Sequence, residues 1–283
     1  MMPGFLQNLK QWASTKNVGR FFILKPLTPR DSVLIESRRN GVACLQFPNL
    51  KDFSELRHAV FTRRDGCSRT PYRSLNTSFS VGDAPDRVDH NRERIRRCFE
   101  ATELVFARQV HGTDVAVASG PPDGRPPEVD ALVTDARGCC LTIQVADCQP
   151  VMVYDPVRHV VANIHSGWRG SIGNIIGRTL QEMTAAFGTA AGDLIAAIGP
   201  SLGPCCAEFV HYRKEIPRSF WPYKNANHHF NFWAISHDQL CEAGVPTENI
   251  FTSKLCTRCH TDRFFSYRGE GTTGRFAAVI GLR

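Results

Sequence analysis

Apolar and polar residues alternate along this chain in three regimes. From residue 1 to about 45 the periodicity is weak and punctuated by Pro26 and Pro29, with Pro48 just beyond. This predicts an N-terminal extension at 1–45 ahead of a catalytic domain at 46–283, with the core proper starting near Leu56. Between 86 and 100, Val88, Arg92, Ile95 and Phe99 recur at helical spacing, with Asp86 placed to cap the helix. The period then changes. Runs at 104–110, 115–118, 131–134, 141–145, 151–154 and 160–164 are short, rich in β-branched residues and split by turn residues, which predicts successive strands. A second helix is expected after Gly170, on Ile172, Ile176, Leu180, Met183 and Phe187, with Gly188 ending it. A strand at 194–198, loops with one helix at 236–243, and a final strand at 276–282 complete an α+β reading: one domain dominated by mixed sheets, without internal repeats.

Composition narrows the class. With 283 residues and 42% hydrophobic content the chain can bury a large core in one domain. No apolar run approaches the roughly 18 residues of a membrane span, so no membrane partner is expected. The first thirty residues carry Lys10, Lys16, Arg20, Lys25 and Arg30 without an acid, yet lack the Arg and Ser richness of a transit peptide and read as a basic extension. A net charge of +7 favours anionic partners, but the basic residues are dispersed. The run from Arg92 to Arg97 reads as a solvated helix face, no nucleic acid is expected, and a phosphate-bearing small molecule fits the same charge. Eleven cysteines, an odd count with adjacent pairs at Cys139-Cys140 and Cys205-Cys206 and no secretory signal, point to a reducing cytoplasm.

The chemistry concentrates in three short segments. His111 in Gln109-Val110-His111-Gly112, Cys148 in Ala146-Asp147-Cys148-Gln149-Pro150 and His165 ahead of Gly167 each close a predicted strand. Two imidazoles and a thiolate are an ordinary zinc donor set that leaves a fourth position for water. The separations of 37 and 17 residues match no compact metal motif, so three residues in structural roles remain the competing reading. His165-Ser166-Gly167-Trp168-Arg169-Gly170 runs from a strand end into a helix start, where backbone N–H groups and an arginine suit an anion.

These segments, together with Ile198-Gly199-Pro200-Ser201-Leu202-Gly203-Pro204-Cys205-Cys206, resemble the laccase-domain (YfiH-like) family, whose members are also described as purine nucleoside phosphorylases. The resemblance runs from about 55 to 283. It takes in Phe61-Thr62-Arg63, Ser74-Leu75-Asn76, Gly82-Asp83, Cys256-Thr257, Phe264-Phe265-Ser266-Tyr267-Arg268 and Thr273-Gly274-Arg275. It implies mixed sheets sandwiched with helices and zinc held by His111, Cys148 and His165. It also implies phosphorolysis of adenosine, inosine, guanosine and methylthioadenosine, with phosphate as co-substrate, alongside adenosine deamination. Arg63, Arg169 and Arg268 are then the candidate phosphate clamp, Asn76 and Gln109 the candidate nucleoside contacts, and Asp147 the candidate general acid/base or orienting carboxylate. Ser166, Asp65, Asn231 and Gly269 depart from the family's usual Ala, Gly, Asp and basic residue, and Asp65 and Gly269 are the two that bear on the anion site.

Three other readings use the same residues. Cys148 with His165 as base makes a cysteine hydrolase acting on an amide or peptidoglycan precursor. The three ligands holding a structural metal make a binding or assembly protein. Copper, which binds N/S donors more tightly than zinc, makes a polyphenol oxidase. The chain has ten histidines and no H-x-H pair, which argues against a trinuclear copper cluster. Cys256-Thr257-Arg258-Cys259-His260 matches the haem-attachment pattern, but nothing else in the chain indicates export.

Overall fold

The structure, a computed structural model, describes residues 33–99, 103–121 and 124–283. The basic segment at 1–32 lies outside the described residues. Among the described residues, twelve strands form two mixed six-stranded sheets. The first contains β1 (Ile35–Arg39), β2 (Val42–Gln46), β3 (Leu56–Phe61), β4 (Glu103–Phe106), β7 (Cys139–Val145) and β12 (Phe276–Leu282), in the order β1-β2-β3-β12-β7-β4. The second contains β5 (Val115–Val117), β6 (Ala131–Thr134), β8 (Gln149–Asp155), β9 (Val160–Ser166), β10 (Ile195–Ile198) and β11 (Ile250–Thr252), in the order β11-β10-β8-β9-β6-β5. Among the described residues no helix is long and apolar enough to cross a membrane.

The sheets stack face to face, and a helical layer covers each outer face. This is why the central strands read as unbroken apolar runs. In β12 the period of two sends Phe276, Ala278 and Ile280 into the layer between the sheets, with Leu141, Ile143, Met152, Tyr154 and Val161. The alternate residues Ala277 and Val279 meet Ile95 and Phe99 of the helix α1 (Pro85–Arg97) region. On the far side Val151, Val153, Ala162 and Ile164 pack against Ile176, Leu180 and Met183, and against Leu240. The first three belong to α3 (Ile175–Phe187), which follows α2 (Trp168–Ile172); α4 (Tyr212–Glu215) precedes α5 (Phe232–Glu242), which carries Leu240; α6 (Tyr267–Glu270) completes the helices.

Several expectations are corrected by local chemistry. The segment at 1–45 expected as an extension contributes β1 and most of β2 to the first sheet, paired Ile35 with Gln46 through Arg39 with Val42. Its polar outward residues hid the alternation. Asp86 does not cap α1; Ala84 occupies that position without a side-chain bond, and Pro85 starts the helix. The helix expected from Gly170 to Phe187 is two helices, because Asn174 turns left-handed (φ +56°) and its side chain accepts from Gly177 N to open α3. Gly188 does end α3, in the left-handed conformation. The strand expected at 104–110 stops at Phe106. Asp65 also sits left-handed (φ +66°), where Gly costs least; its carboxylate accepts from Ala43 N and pairs with Arg38, so it braces β2 rather than an anion site.

One buried titratable group in this frame sets an acid limit. His58 on β3 is 1% exposed, and its Nε2 accepts from Phe47 N at 2.9 Å, which fixes a neutral ring. Burial, helped by the charge of Arg39, pushes its pKa down to about 3. The unfolded ring binds its proton near pH 6.5, so stability from this group is complete above that pH. It is lost as pH falls toward 3, at about 1.4 kcal/mol per pH unit. His58→Gln should flatten the fall of the urea midpoint between pH 6.5 and 4 relative to the parent; parallel curves for the two proteins would refute this assignment.

Candidate metal centre

The chain crosses from the first sheet to the second at two places, and each of these crossings carries a candidate ligand. Between β7 and β8 the crossing is Ala146-Asp147-Cys148; between β4 and β5 it is the loop that holds His111. Neither crossing relaxes into ordinary backbone: Asp147 has φ +90° and His111 φ +61°. Non-glycine residues held there cost on the order of 1–3 kcal/mol each and persist only where surrounding contacts enforce them. His111 therefore sits in a strained loop, not at the strand end expected from sequence. His165 lies on β9 directly opposite Pro150 of β8, two residues past Cys148. It shares a strand face with Asn163, whose amide reaches Leu141 O and Ala278 O of the first sheet, so the imidazole enters the inter-sheet layer. One side-chain atom each of His111, Cys148 and His165 lies within 4.8 Å of the others.

Asp130, just ahead of β6, organises the trio and was not picked out from sequence. It is fully buried; Oδ1 accepts from His165 Nδ1 at 2.7 Å and from His111 N at 2.9 Å, and Oδ2 accepts from Gly112 N at 2.6 Å. Burial alone would raise this carboxyl. The hydrogen bonds from His165, Gly112 and His111 and the positive charge on His165 hold it below the usual carboxylate range. With Nδ1–H committed to Asp130, His165 presents Nε2 to Cys148 and His111, the arrangement by which a carboxylate orients a metal-binding imidazole. Burial would raise the Cys148 thiol and lower His165, but each is overruled by the other: the charge on His165 lowers the thiol, and the charge on Cys148, with Asp130 behind, raises the imidazole. A Cβ on Gly167 would stand 3.1 Å from His111 Cδ2 and 3.2 Å from Cys148 Sγ, so glycine keeps the space beside the donors open. Donor set, oriented imidazole and open flank fit a zinc ion with three protein ligands.

The trio opens on a cavity of about 740 Å³, within the size range of small-molecule sites. Arg92, Arg108, Arg169, Arg268 and Arg275 line it, with Asp147 as the sole lining carboxylate among the described residues. Arg169 stacks on Trp168 at 4.3 Å, and the Arg268 guanidinium donates to Glu208 O. Aromatic side chains of Phe79, Trp168, Phe209, Phe232 and Tyr267 complete much of the wall.

Not every expected site residue reaches this cavity. Arg63 lines a separate surface depression, where it donates to Arg73 O, Thr261 O and Glu270 and stacks on Phe265. Asn76 is fully buried; its amide donates to Ser78 O and Asp83 and accepts from Ser78 N and Arg275 N, which leaves nothing for a ligand. Gln109 lines the cavity, but its amide is clamped to both backbone groups of Gln144 at 2.8 Å. Asp147 accepts from Thr257 Oγ1, Ser266 Oγ and Arg268 N at 2.6–2.7 Å, so its carboxylate ties the crossing to the 256–268 segment instead of facing a substrate proton. The helix start after His165 is real but short, a five-residue α2. Asn231 caps α5 through its side-chain oxygen, as an Asp would, and Ser166 bonds Ser171.

Arg92, Arg108 and Arg275 are the cavity-lining arginines that sequence reasoning passed over. Arg92 is clasped between the rings of Phe79 (4.3 Å) and Phe106 (3.7 Å), and burial pushes its pKa down to about 10. Its signal was present: a charged residue at a core-facing helical position, in phase with Val88 and Ile95. Arg275 closes the Thr273-Gly274-Arg275 segment of the family resemblance, and burial also lowers its pKa while Cys148 and Asp147 oppose the change.

The family model for multi-copper polyphenol oxidoreductase laccase matches residues 57–283. A protein of Bacteroides thetaiotaomicron named purine nucleoside phosphorylase is 33% identical over 256 residues, 83% of this chain and 95% of that protein. Purine nucleoside phosphorylase YfiH of Escherichia coli is 32% identical over 78% of this chain and 91% of its own. The crystal structure of YlmD from Geobacillus stearothermophilus superimposes with a TM-score of 0.79 at 32% identity, covering 89% of this chain and 99% of that one. With the match spanning both sheets from β3 to β12 and the segments of all three candidate ligands, the chain belongs to the laccase-domain family typified by YfiH and YlmD.

Proposed function

We propose that the protein is a zinc-dependent purine nucleoside phosphorylase that also deaminates adenosine. The observation that carries this reading is the junction of a three-residue donor set, backed by Asp130, with a cavity whose arginines are interleaved with aromatic rings. The names of the relatives point the same way. His111, Cys148 and His165 hold the ion, which when bound supplies Lewis acidity and activation of water near neutral pH.

The remaining work falls to the chain's own residues. Arg169, Arg268 and Arg275 bind the phosphate and aim one of its oxygens at the anomeric carbon. As the new C–O bond forms, the C–N glycosidic bond breaks and its electron pair leaves with the purine, which takes up a proton. The products are the free base and ribose 1-phosphate. Trp168, Phe209 and Phe232 supply a stacking wall for the base. In deamination, water adds at C6 of adenine and ammonia leaves. Asp147 acts by position: it fixes the strained turn that presents Cys148, while Thr257, Ser266 and Arg268 hold it.

Incubation of metal-replete protein with adenosine, with and without phosphate, followed by chromatography, tests both activities. Adenine and ribose 1-phosphate should form only with phosphate, and inosine in either case. No turnover of any purine nucleoside by protein holding zinc at this site would sink the proposal.

One geometric fact favours a second reading. Cys148, His165 and Asp130 are also arranged as nucleophile, base and orienting carboxylate, as a cysteine hydrolase requires. Iodoacetamide separates the two. A nucleophilic thiolate is alkylated and inactivated after metal removal, and restored metal does not protect or rescue it. In the zinc reading, metal shields Cys148 from the reagent.

A further inference from the structure

Outside this cavity, the fold gathers four more cysteines that the proposed reaction does not use. Cys205-Cys206 ends the Gly203-Pro204 turn after β10, and Cys256 and Cys259 form a C-x-x-C step after β11. The two pairs are some fifty residues apart in sequence, yet their four sulfurs all lie within 4.8 Å of one another. Cys259 Sγ is 3.5 Å from Cys205 Sγ and 3.6 Å from Cys206 Sγ. Sulfurs placed tetrahedrally about 2.3 Å from a zinc ion stand about 3.8 Å apart, so the group already has nearly the edge length of a zinc tetrathiolate. Cys205 and Cys259 are exposed at its outer side, while Cys206 and Cys256 are buried.

The surrounding backbone is arranged for charged sulfur. Gly203 N donates to Cys256 Sγ at 3.3 Å, the kind of bond that supports a metal-bound thiolate. That approach depends on glycine: a Cβ at position 203 would meet the Trp233 ring at 2.6 Å and Cys256 Cβ at 3.1 Å. Ser201 and Thr257 join the two segments next to the sulfurs, through Thr257 N to Ser201 O and Ser201 N to Leu255 O. The haem-like C-x-x-C-H spacing noted in the sequence thus has a partner in space, and that partner is a second pair of cysteines.

We propose that Cys205, Cys206, Cys256 and Cys259 form a second metal site, a closed tetrathiolate for a thiophilic divalent cation of the zinc class. Four protein ligands leave no exchange position, so the site is structural, in contrast to the three-ligand centre. It clamps the 199–209 segment to the 255–268 segment. Both line the cavity, through Leu202 and Phe209 on one and Tyr267 and Arg268 on the other. Thr257, the neighbour of Cys256, donates to Asp147 at 2.6 Å, so the clamp also steadies the turn that carries Cys148. This assignment is independent of which reaction the cavity performs.

Zinc content per chain tests it on the full-length protein prepared under reducing conditions with zinc. The parent should hold two zinc ions, His111→Ala one, Cys205→Ser/Cys259→Ser one, and the triple variant none. Replacing the two exposed cysteines spares the buried pair, so the variant should stay folded. Cobalt loaded into His111→Ala should give intense thiolate-to-metal charge-transfer absorption that the triple variant lacks. A single zinc in the parent, with all four thiols open to a thiol reagent, would overturn the proposal. So would a mass deficit of two hydrogens per bridge, the mark of disulfides in place of metal.

Discussion

His111→Ala should remove the ion of the three-ligand centre and lower nucleoside turnover by about a thousandfold or more, because Lewis-acid stabilisation is worth several kcal/mol and each 1.36 kcal/mol is tenfold in rate. The substitution is a clean probe. His111 projects from an exposed loop, and what anchors that loop is backbone, the N–H groups of His111 and Gly112 on Asp130, which alanine keeps. The left-handed φ of +61° is no easier for alanine, so a modest stability loss is expected and the urea midpoint should be followed alongside activity. The variant also separates mechanisms. It leaves Cys148, His165 and Asp130 in place, so a cysteine hydrolase would keep its nucleophile and base, whereas a zinc enzyme would lose its ion. Unchanged kcat/KM with one fewer zinc per chain would end the zinc reading.

The parts of this site legible in the sequence are those that coincide with strand periodicity. The runs at 131–134 and 276–282 match β6 and β12, and Cys148 falls beside β8 and His165 within β9, strands whose apolar pattern is unmistakable. The rest failed for identifiable reasons. His111 was placed at a strand end because Val110 and the residues before it look extended, but Asp130, nineteen residues away, captures the N–H groups of that segment and bends it out of the sheet. No local pattern records such a bond. Asp130 itself looked like an ordinary acid before a strand. Arg63 and Asn76 show the converse: the segments holding them carry the family resemblance, yet the structure spends their donors on backbone carbonyls and on the carboxylates of Glu270 and Asp83. Motif membership reports that a residue matters, while burial and partner geometry decide whether it matters to substrate or to fold. The four clustered cysteines were visible only as two separate oddities until β10 and β11 brought them together in parallel register.

Asp130→Asn should weaken zinc binding at the three-ligand centre by 10- to 100-fold, the range typical of losing the carboxylate behind a ligating imidazole. The substitution is nearly isosteric but reverses half of the chemistry. The carboxylate receives four donors on two oxygens, from His165, His111, Gly112 and Val110. An amide offers one oxygen and turns its NH₂ toward N–H groups, so either His165 or the 110–112 loop loses its acceptor at a position that is itself fully buried. If His165 loses it, the imidazole is free to take the other tautomer and withdraw Nε2 as a ligand. If the loop loses it, the strained His111 relaxes away. Both routes lower affinity, but only the loop route costs much stability, so zinc competition against a chelator, paired with urea unfolding of the zinc-free protein, tells them apart. A merely structural Asp130 would lower the midpoint and leave the affinity of the folded protein untouched. An orienting Asp130 lowers the affinity even in the fraction that remains folded, and Asp130→Glu, which keeps the charge one methylene out of place, should recover stability better than affinity.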